Sequence, residues 1–114
     1  MNAIPKPGVA ELLKWILRRR VRYQISGESM LPGLAPGDFV FVDRHAYVAA
    51  RPTRGDIILI EHPYQPIEMV KRVSEVRDDG VVVTGDNQSA STDSRAFGRI
   101  PFERVLGRVT SRIA

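Results

Sequence analysis

The chain contains no cysteine, which removes disulfides, thiolate metal sites and cysteine nucleophiles together. Histidine is almost as scarce: His45 and His62 are the only two, leaving little scope for a histidine-rich metal site. Neither has a clear orienting carboxylate in sequence, so each reads as a satisfied surface residue. His45 falls in the loop "DRHAY", and Pro63 biases His62 to an extended or turn conformation. Long hydrophobic runs are missing too. The nearest, "VAELLKWIL" at 9–17, is broken by Glu11 and Lys14 and falls short of the ~20 apolar residues that span a bilayer. It also lacks the small-residue cleavage site of a secretory signal. The expectation is a cytoplasmic protein, soluble or at most peripheral to a membrane.

Lysine is the third scarcity. Positive charge is carried by 14 Arg against three Lys, with a net charge of +4 and a pI near 10.0. Such a balance raises nucleic acid or an anionic membrane as partners. The densest cluster, Arg18, Arg19, Arg20 and Arg22, reads equally as a solvated basic end. No aromatic-interleaved basic sheet of the kind that stacks bases is present, so nucleic acid is not expected.

At 114 residues the chain is one domain with a modest core. Pro5, Pro7 and Gly8 mark a disordered lead-in. Val9, Leu12, Leu13, Ile16 and Leu17 then recur at the spacing of one helical face, predicting an amphipathic helix over 9–20. With Trp15 and the arginines, residues 9–22 suit peripheral membrane contact, while packing on the body of the domain explains the stripe equally well. Residues 21–114 form the β domain. "VRYQIS" (21–26), "DFVFVD" (38–43), "DIILIE" (56–61), "EMVKRVSEV" (68–76), "GVVVTG" (80–85) and "RVLGRVTSRI" (104–113) read as strands. Asp78, Asp79 and Gly80 supply a hairpin turn, and Gly107 suggests a kink in the last strand. The fold class is mostly β, antiparallel, with one N-terminal helix.

Two short stretches raise a chemical question. "SGESMLPGL" (26–34) sets Ser29 beside Met30 and a Pro32–Gly33 turn, either as a surface turn or as a nucleophile awaiting a base. In "MVKRV", Lys71 is the lone lysine inside a strand, and alternation places it on one face between Met69 and Val73. A desolvated lysine loses its proton where arginine does not, and so can activate a serine. A snorkelling lysine with its head in water is the competing reading.

The polar loop "GDNQSASTDSRAFG" (85–98) adds a third stretch. Together with "GESMLP" (27–32), "PGDFVFV" (36–42), "RGDIILI" (54–60) and "VKRV" (70–73), it resembles the type I signal peptidase family over about residues 22–110. That family's Ser-Met-x-Pro, Lys-Arg-Val, Gly-Asp-Asn and Ser-x-Asp-Ser-Arg blocks occur here in that order. The resemblance implies a signal-peptidase/repressor-autoprotease-like β fold and a serine endopeptidase without cofactor or bound metal. Ser29 would be the nucleophile and Lys71 the general base, with Ser91 orienting the amine. Asp93 and Arg95 would pair beneath the site, next to Ser94. Gly85, Asp86 and Asn87 would form its supporting turn, and Met30 and Pro32 would shape the wall and turn beside the nucleophile. Gly27 stands where some members carry a serine that donates to the oxyanion. The Ser29 backbone N–H would therefore carry more of that load. The expectation is a member without the family's usual anchors and long β insertions.

The run "LLKWILRRRVRYQISGESMLPGLAPGDFVFVDR" and "STDSRAFG" are further similar to the maturation peptidases of nickel-containing superoxide dismutase. That implies a protein precursor as partner, cut at an N-terminal propeptide, with nickel belonging to the substrate after cleavage. Signal-peptidase-like processing of other precursors is the alternative, and a non-catalytic basic binding module on the same fold is a third reading. Self-cleaving repressors share Ser-Met and a lysine on a similar β core, but twenty residues ahead of the core cannot hold their DNA-binding domain.

Overall fold

The β-branched and alternating runs form strands where expected. A computed structural model describes residues 4, 8–11 and 20–113. Its strands are β1 (Arg20–Gln24), β2 (Phe39–Asp43), β3 (Ile57–Glu61), β4 (Glu68–Arg77), β5 (Gly80–Thr84), β6 (Ile100–Pro101) and β7 (Val105–Ile113). They build one seven-stranded sheet in the order β1-β2-β7-β3-β4-β5-β6, antiparallel at every pairing. The fold class is the expected one.

β3 shows why its run is apolar throughout. Ile57 and Leu59 enter one core cluster with Met30, Leu34, Val40, Val42 and Val109. Ile58 and Ile60 enter a second with Val73, Val81, Val83, Phe97 and Ile100. Both faces of the central strand are buried, so neither set of alternate positions tolerates polarity. β4 and β5 join across Asp78 and Asp79 as a hairpin pairing Arg77 with Gly80. A Cβ on Gly80 would lie 2.2 Å from the Ile100 carbonyl oxygen, so this glycine lets β6 approach. β7 runs unbroken through Gly107, beside a register shift against β3. A Cβ there would meet the Asp43 carbonyl oxygen at 2.6 Å, so Gly107 serves close strand crossing as well as the irregularity.

Other expectations need correction. The polar loop is not plain loop: it contains a 3₁₀ turn (Gln88–Ala90) and a short helix, α1 (Ser94–Phe97). Asp93 caps α1 by accepting the Arg95 backbone N–H at 3.1 Å, and Gly98 at φ +80° ends it. His62 is not a surface residue. It is buried, its Nδ1 accepts the Tyr64 N–H at 3.0 Å, and its ring meets Phe97 edge-on at 4.9 Å. His45 is exposed, as expected.

At the N-terminus, residues 9–11 are helical. The lead-in apart from Ile4 and Gly8, the apolar stripe Leu12, Leu13, Ile16 and Leu17, Trp15, Arg18 and Arg19 lie outside the described residues. Arg20 departs from the solvated basic end: it is buried, with NH1 3.0 Å from Asp43 and Nε 3.5 Å from Glu11. The Glu11 carboxylate also accepts from the Thr110 hydroxyl and, at 3.0 Å, from Ser111. Arg22 stacks over Phe39 at 4.7 Å. Among the described residues no helix is long and apolar enough to cross a membrane.

Candidate active site

Ser29 sits on a loop whose conformation is set by its neighbours. β1 hands over to it where the Ile25 N–H bonds the Asp38 carbonyl at 2.8 Å. Gly27 then takes φ +79°, a left-handed conformation that side-chain-bearing residues rarely adopt. Successive turns follow, with the Leu31 N–H on Glu28 O and the Leu34 N–H on Met30 O. Met30 and Leu34 are sunk in the core, and Leu31–Pro32 is cis. Ser29 is thus held half-exposed beside an anchored Met30. Pro32 is exposed and stands outside the cleft described below. From far along the chain Asn87 fastens the loop, its backbone N–H on Ser29 O at 2.7 Å and its Nδ2 on Glu28 O at 3.1 Å.

Lys71 is 2% exposed, so the snorkelling reading does not hold. Its Nζ donates to Ser91 Oγ at 3.1 Å, and the Ser91 hydroxyl in turn donates to Asp93 Oδ2 at 3.1 Å. Burial pushes the Lys71 amine below the ordinary lysine range; the Asp93 charge opposes this, and Arg95 adds to it. Asp93 is itself buried, which alone would raise its pKa. Hydrogen bonds from the Arg95 guanidinium, the Arg95 and Gly85 backbone N–H groups and Ser91 outweigh that and hold it at about 2. The Arg95 guanidinium reaches both Asp93 oxygens, at 2.9 and 3.1 Å. The carboxylate is matched by arginine and does not compel Lys71 to stay an ammonium.

Gly85 joins the two halves. Its N–H bonds Asp93 at 3.2 Å, and a Cβ there would lie 2.2 Å from Ser91 Oγ and 2.7 Å from Ser29 O. Only a hydrogen fits between the Ser29 loop and Ser91. Asp86 turns to Arg72, which it binds through both oxygens at 2.9 and 3.0 Å, and Arg72 also reaches Gly55 O at 2.8 Å. Ser94 Oγ accepts the Val83 N–H at 2.9 Å, tying α1 to β5.

Ser29 and Lys71 line one cleft of about 710 Å³. Ile25, Ser26 and Met30 form the Ser29 side, Met69 and Val70 the Lys71 side, and Tyr23, Glu61, Ile67 and Glu68 lie further along. Of the expected residues, Lys71, Ser91, Asp93, Arg95 and Gly85 fall in one hydrogen-bonded cluster. Ser29 is tied to Asn87 through its carbonyl oxygen and shares the cleft with Lys71 without a hydrogen bond between their side chains. Ser94 bonds Val83, and Asp86 lies behind on Arg72. Gly27 contributes a backbone turn and no side chain. Reading the sequence missed Tyr23, Ile67 and Glu68 on the cleft, and the anchoring role of Arg72. Alternation within "VRYQIS" marks Tyr23 as facing with Ile25, and that was the available signal. Among the described residues no cluster of His, Cys, Asp and Glu suits a metal ion.

A family model described as "Signal peptidase, peptidase S26" matches residues 10–75 and 73–114. The chain is 32% identical over 111 residues to the mitochondrial ATP-independent inner membrane protease subunit 1b of Arabidopsis thaliana, covering 76% of this chain and 66% of that protein. It is 32% identical over 112 residues to the human mitochondrial inner membrane protease subunit 1, covering 77% and 66%. Signal peptidase I of Leptolyngbya laminosa is 27% identical over 161 residues, covering 98% of this chain and 78% of the relative. The chain thus spans just under two thirds of the two mitochondrial relatives.

Proposed function

The chain belongs to the signal peptidase family, peptidase S26, and on that premise we propose that it is a serine endopeptidase working through a Ser29–Lys71 dyad on protein precursors. The observation that carries this reading is Lys71: a buried amine, pushed toward its neutral form, hydrogen-bonded to Ser91 and sharing a cleft with Ser29. Neutral Lys71 takes the Ser29 proton, and the alkoxide attacks the carbonyl carbon of an extended substrate. The Ser29 backbone N–H stabilises the oxyanion, Gly27 adding no side-chain donor. Lys71 then gives its proton to the leaving amine. Water activated by the same amine releases the acyl-enzyme. Ser91 orients the amine, and Asp93 with Arg95 holds Ser91. The substrate binds by strand addition, with small residues near the cut.

For the substrate, the relatives favour precursors of the signal-peptidase type. The narrower reading, maturation of nickel superoxide dismutase, has no counterpart among them, since they are inner membrane protease subunits and signal peptidases. Those names also favour work at a membrane, with residues 9–22 as peripheral contact. Intact mass spectrometry of Ala-rich signal-type precursors and of a nickel superoxide dismutase precursor tests both levels. A single cut by wild type and none by Ser29→Ala or Lys71→Ala is expected, with the signal-type precursor preferred. Cleavage by all three proteins overturns the dyad, and preference for the dismutase precursor restores the narrower reading.

A further inference from the structure

The cleft runs between two open strand edges, and one side chain crosses it. Residues 68–71 of β4 pair with β3 alone, because pairing with β5 begins at Arg72. The His62 N–H bonds Ile67 O at 2.9 Å, which sets the alternation: Met69 and Lys71 turn their backbone groups to β3, Glu68 and Val70 to the cleft. Across the cleft, the Ile25 N–H bonds Asp38 O and the Ile25 carbonyl accepts from the Gly37 N–H, both just ahead of β2, so positions 24 and 26 of the Ser29 side turn outward. A peptide strand laid in this slot finds backbone partners on both sides.

Tyr23 spans the slot. Its hydroxyl, on β1, donates to the Glu68 carbonyl oxygen at 3.1 Å, 45 residues away. Glu68 lies three residues from Lys71, or ~10 Å at ~3.3 Å per residue. An extended segment running along β4 from Lys71 therefore has room for about three residues before it meets the phenol. There it needs the same carbonyl that Tyr23 occupies. Burial and the nearby Glu68 carboxylate raise the Tyr23 pKa above its ordinary 10.0, so the phenol remains a donor at neutral pH.

We infer that the substrate segment upstream of the cut runs along β4 from Lys71 and that Tyr23 is a latch on it: its hydroxyl competes with substrate backbone for the Glu68 carbonyl and selects against precursors that stay extended there beyond about three residues. The inference rests on strand addition at the proposed Ser29–Lys71 site. Its test is binding of labelled extended peptides to Ser29→Ala and Ser29→Ala/Tyr23→Phe, one peptide reaching two residues upstream of the cut and one reaching five. Removing the competing hydroxyl should tighten the long peptide about 2–12-fold, the range of one neutral hydrogen bond, and leave the short one unchanged. Tyr23→Met, which also lacks the donor but keeps apolar bulk, should discriminate in the same direction if the phenylalanine variant folds poorly.

Equal tightening of both peptides, no change, or weakening of the long one overturns the latch. Cleavage of the same peptides by otherwise wild-type protein separates the two levels. If it cuts both and the Tyr23 variants fail to discriminate length, the latch alone falls. If it neither binds nor cuts either, the peptidase reading falls with it.

Discussion

On the proposed mechanism, Lys71 and Asp93 carry the chemistry at the scale of single residues. Lys71→Arg keeps charge but cannot serve as a base, so it should be as damaging as Lys71→Ala, lowering kcat/KM by ~10²–10⁴-fold. Near-normal activity in the arginine variant would remove the dyad. Because burial lowers the folded pKa of Lys71, kcat/KM should rise with pH through a value below the ordinary 10.5. Stability follows with a definite sign. The unfolded chain binds the extra proton between the folded and unfolded pKa values, so stability rises with pH across that window. Lys71→Met should therefore be more stable than wild type at neutral pH, and urea melts should show the gain shrinking as pH nears 10.5. Asp93 has the opposite role. Held at about 2 against 3.8, it contributes about 2 kcal/mol that is present above pH ~4 and lost as pH falls through about 2. In Asp93→Asn, acid melts should show this component missing, with activity reduced because the one remaining acceptor oxygen cannot serve both Ser91 and the Arg95 guanidinium.

At the scale of elements, the loop from Gly85 to Gly98 decides whether Ser91 meets Lys71. Gly85 has no left-handed φ to protect; its need is space, 2.2 Å to Ser91 Oγ and 2.7 Å to Ser29 O. Gly85→Ala must displace one of them, and a ~1 Å misplacement at a reacting group costs ~10²-fold. The expected result is a fall of that order in kcat with the circular dichroism of the fold retained; an unchanged kcat would mean the loop gives way without moving Ser91. This element also shows what the sequence does and does not reveal. The strands were legible because β3 buries both faces and so writes its apolar run plainly. The burial of Lys71 was not, since alternation is the same for a snorkelling and a sunken lysine. What distinguishes them is Ser91, brought over by a loop twenty residues later. α1 is not legible in sequence because its four residues hold no periodicity; its cap and its bond to Val83 make it. Sequence alone points His62 to the surface because its cover is Phe97, a contact between distant segments.

For the whole molecule, the sheet is held at its far end by a charge cluster that joins three strands to the N-terminal helical turn. Arg20 of β1 lies between Asp43 of β2 and Glu11, and Glu11 accepts from Thr110 and Ser111 of β7. The composition suggested a basic end for partners, yet here arginine is spent on internal order. Arg20 Nε is buried with no hydrogen-bond partner of its own, so the arrangement is not ideal. Removing one member of a fully buried ion pair costs ~3–5 kcal/mol, chiefly because the partner is left charged and dry. Glu11 and Asp43 retain 17% and 13% exposure, which places the expected loss just below that range, about 2–3 kcal/mol for Arg20→Met. Adding Glu11→Gln removes one stranded charge, so the double variant should lose less than the sum of the two single losses. Urea denaturation of the four proteins gives that coupling directly. A coupling near zero would mean that Glu11 and Arg20 anchor their elements independently, and that the N-terminal turn docks through its hydrogen bonds to β7 rather than through charge.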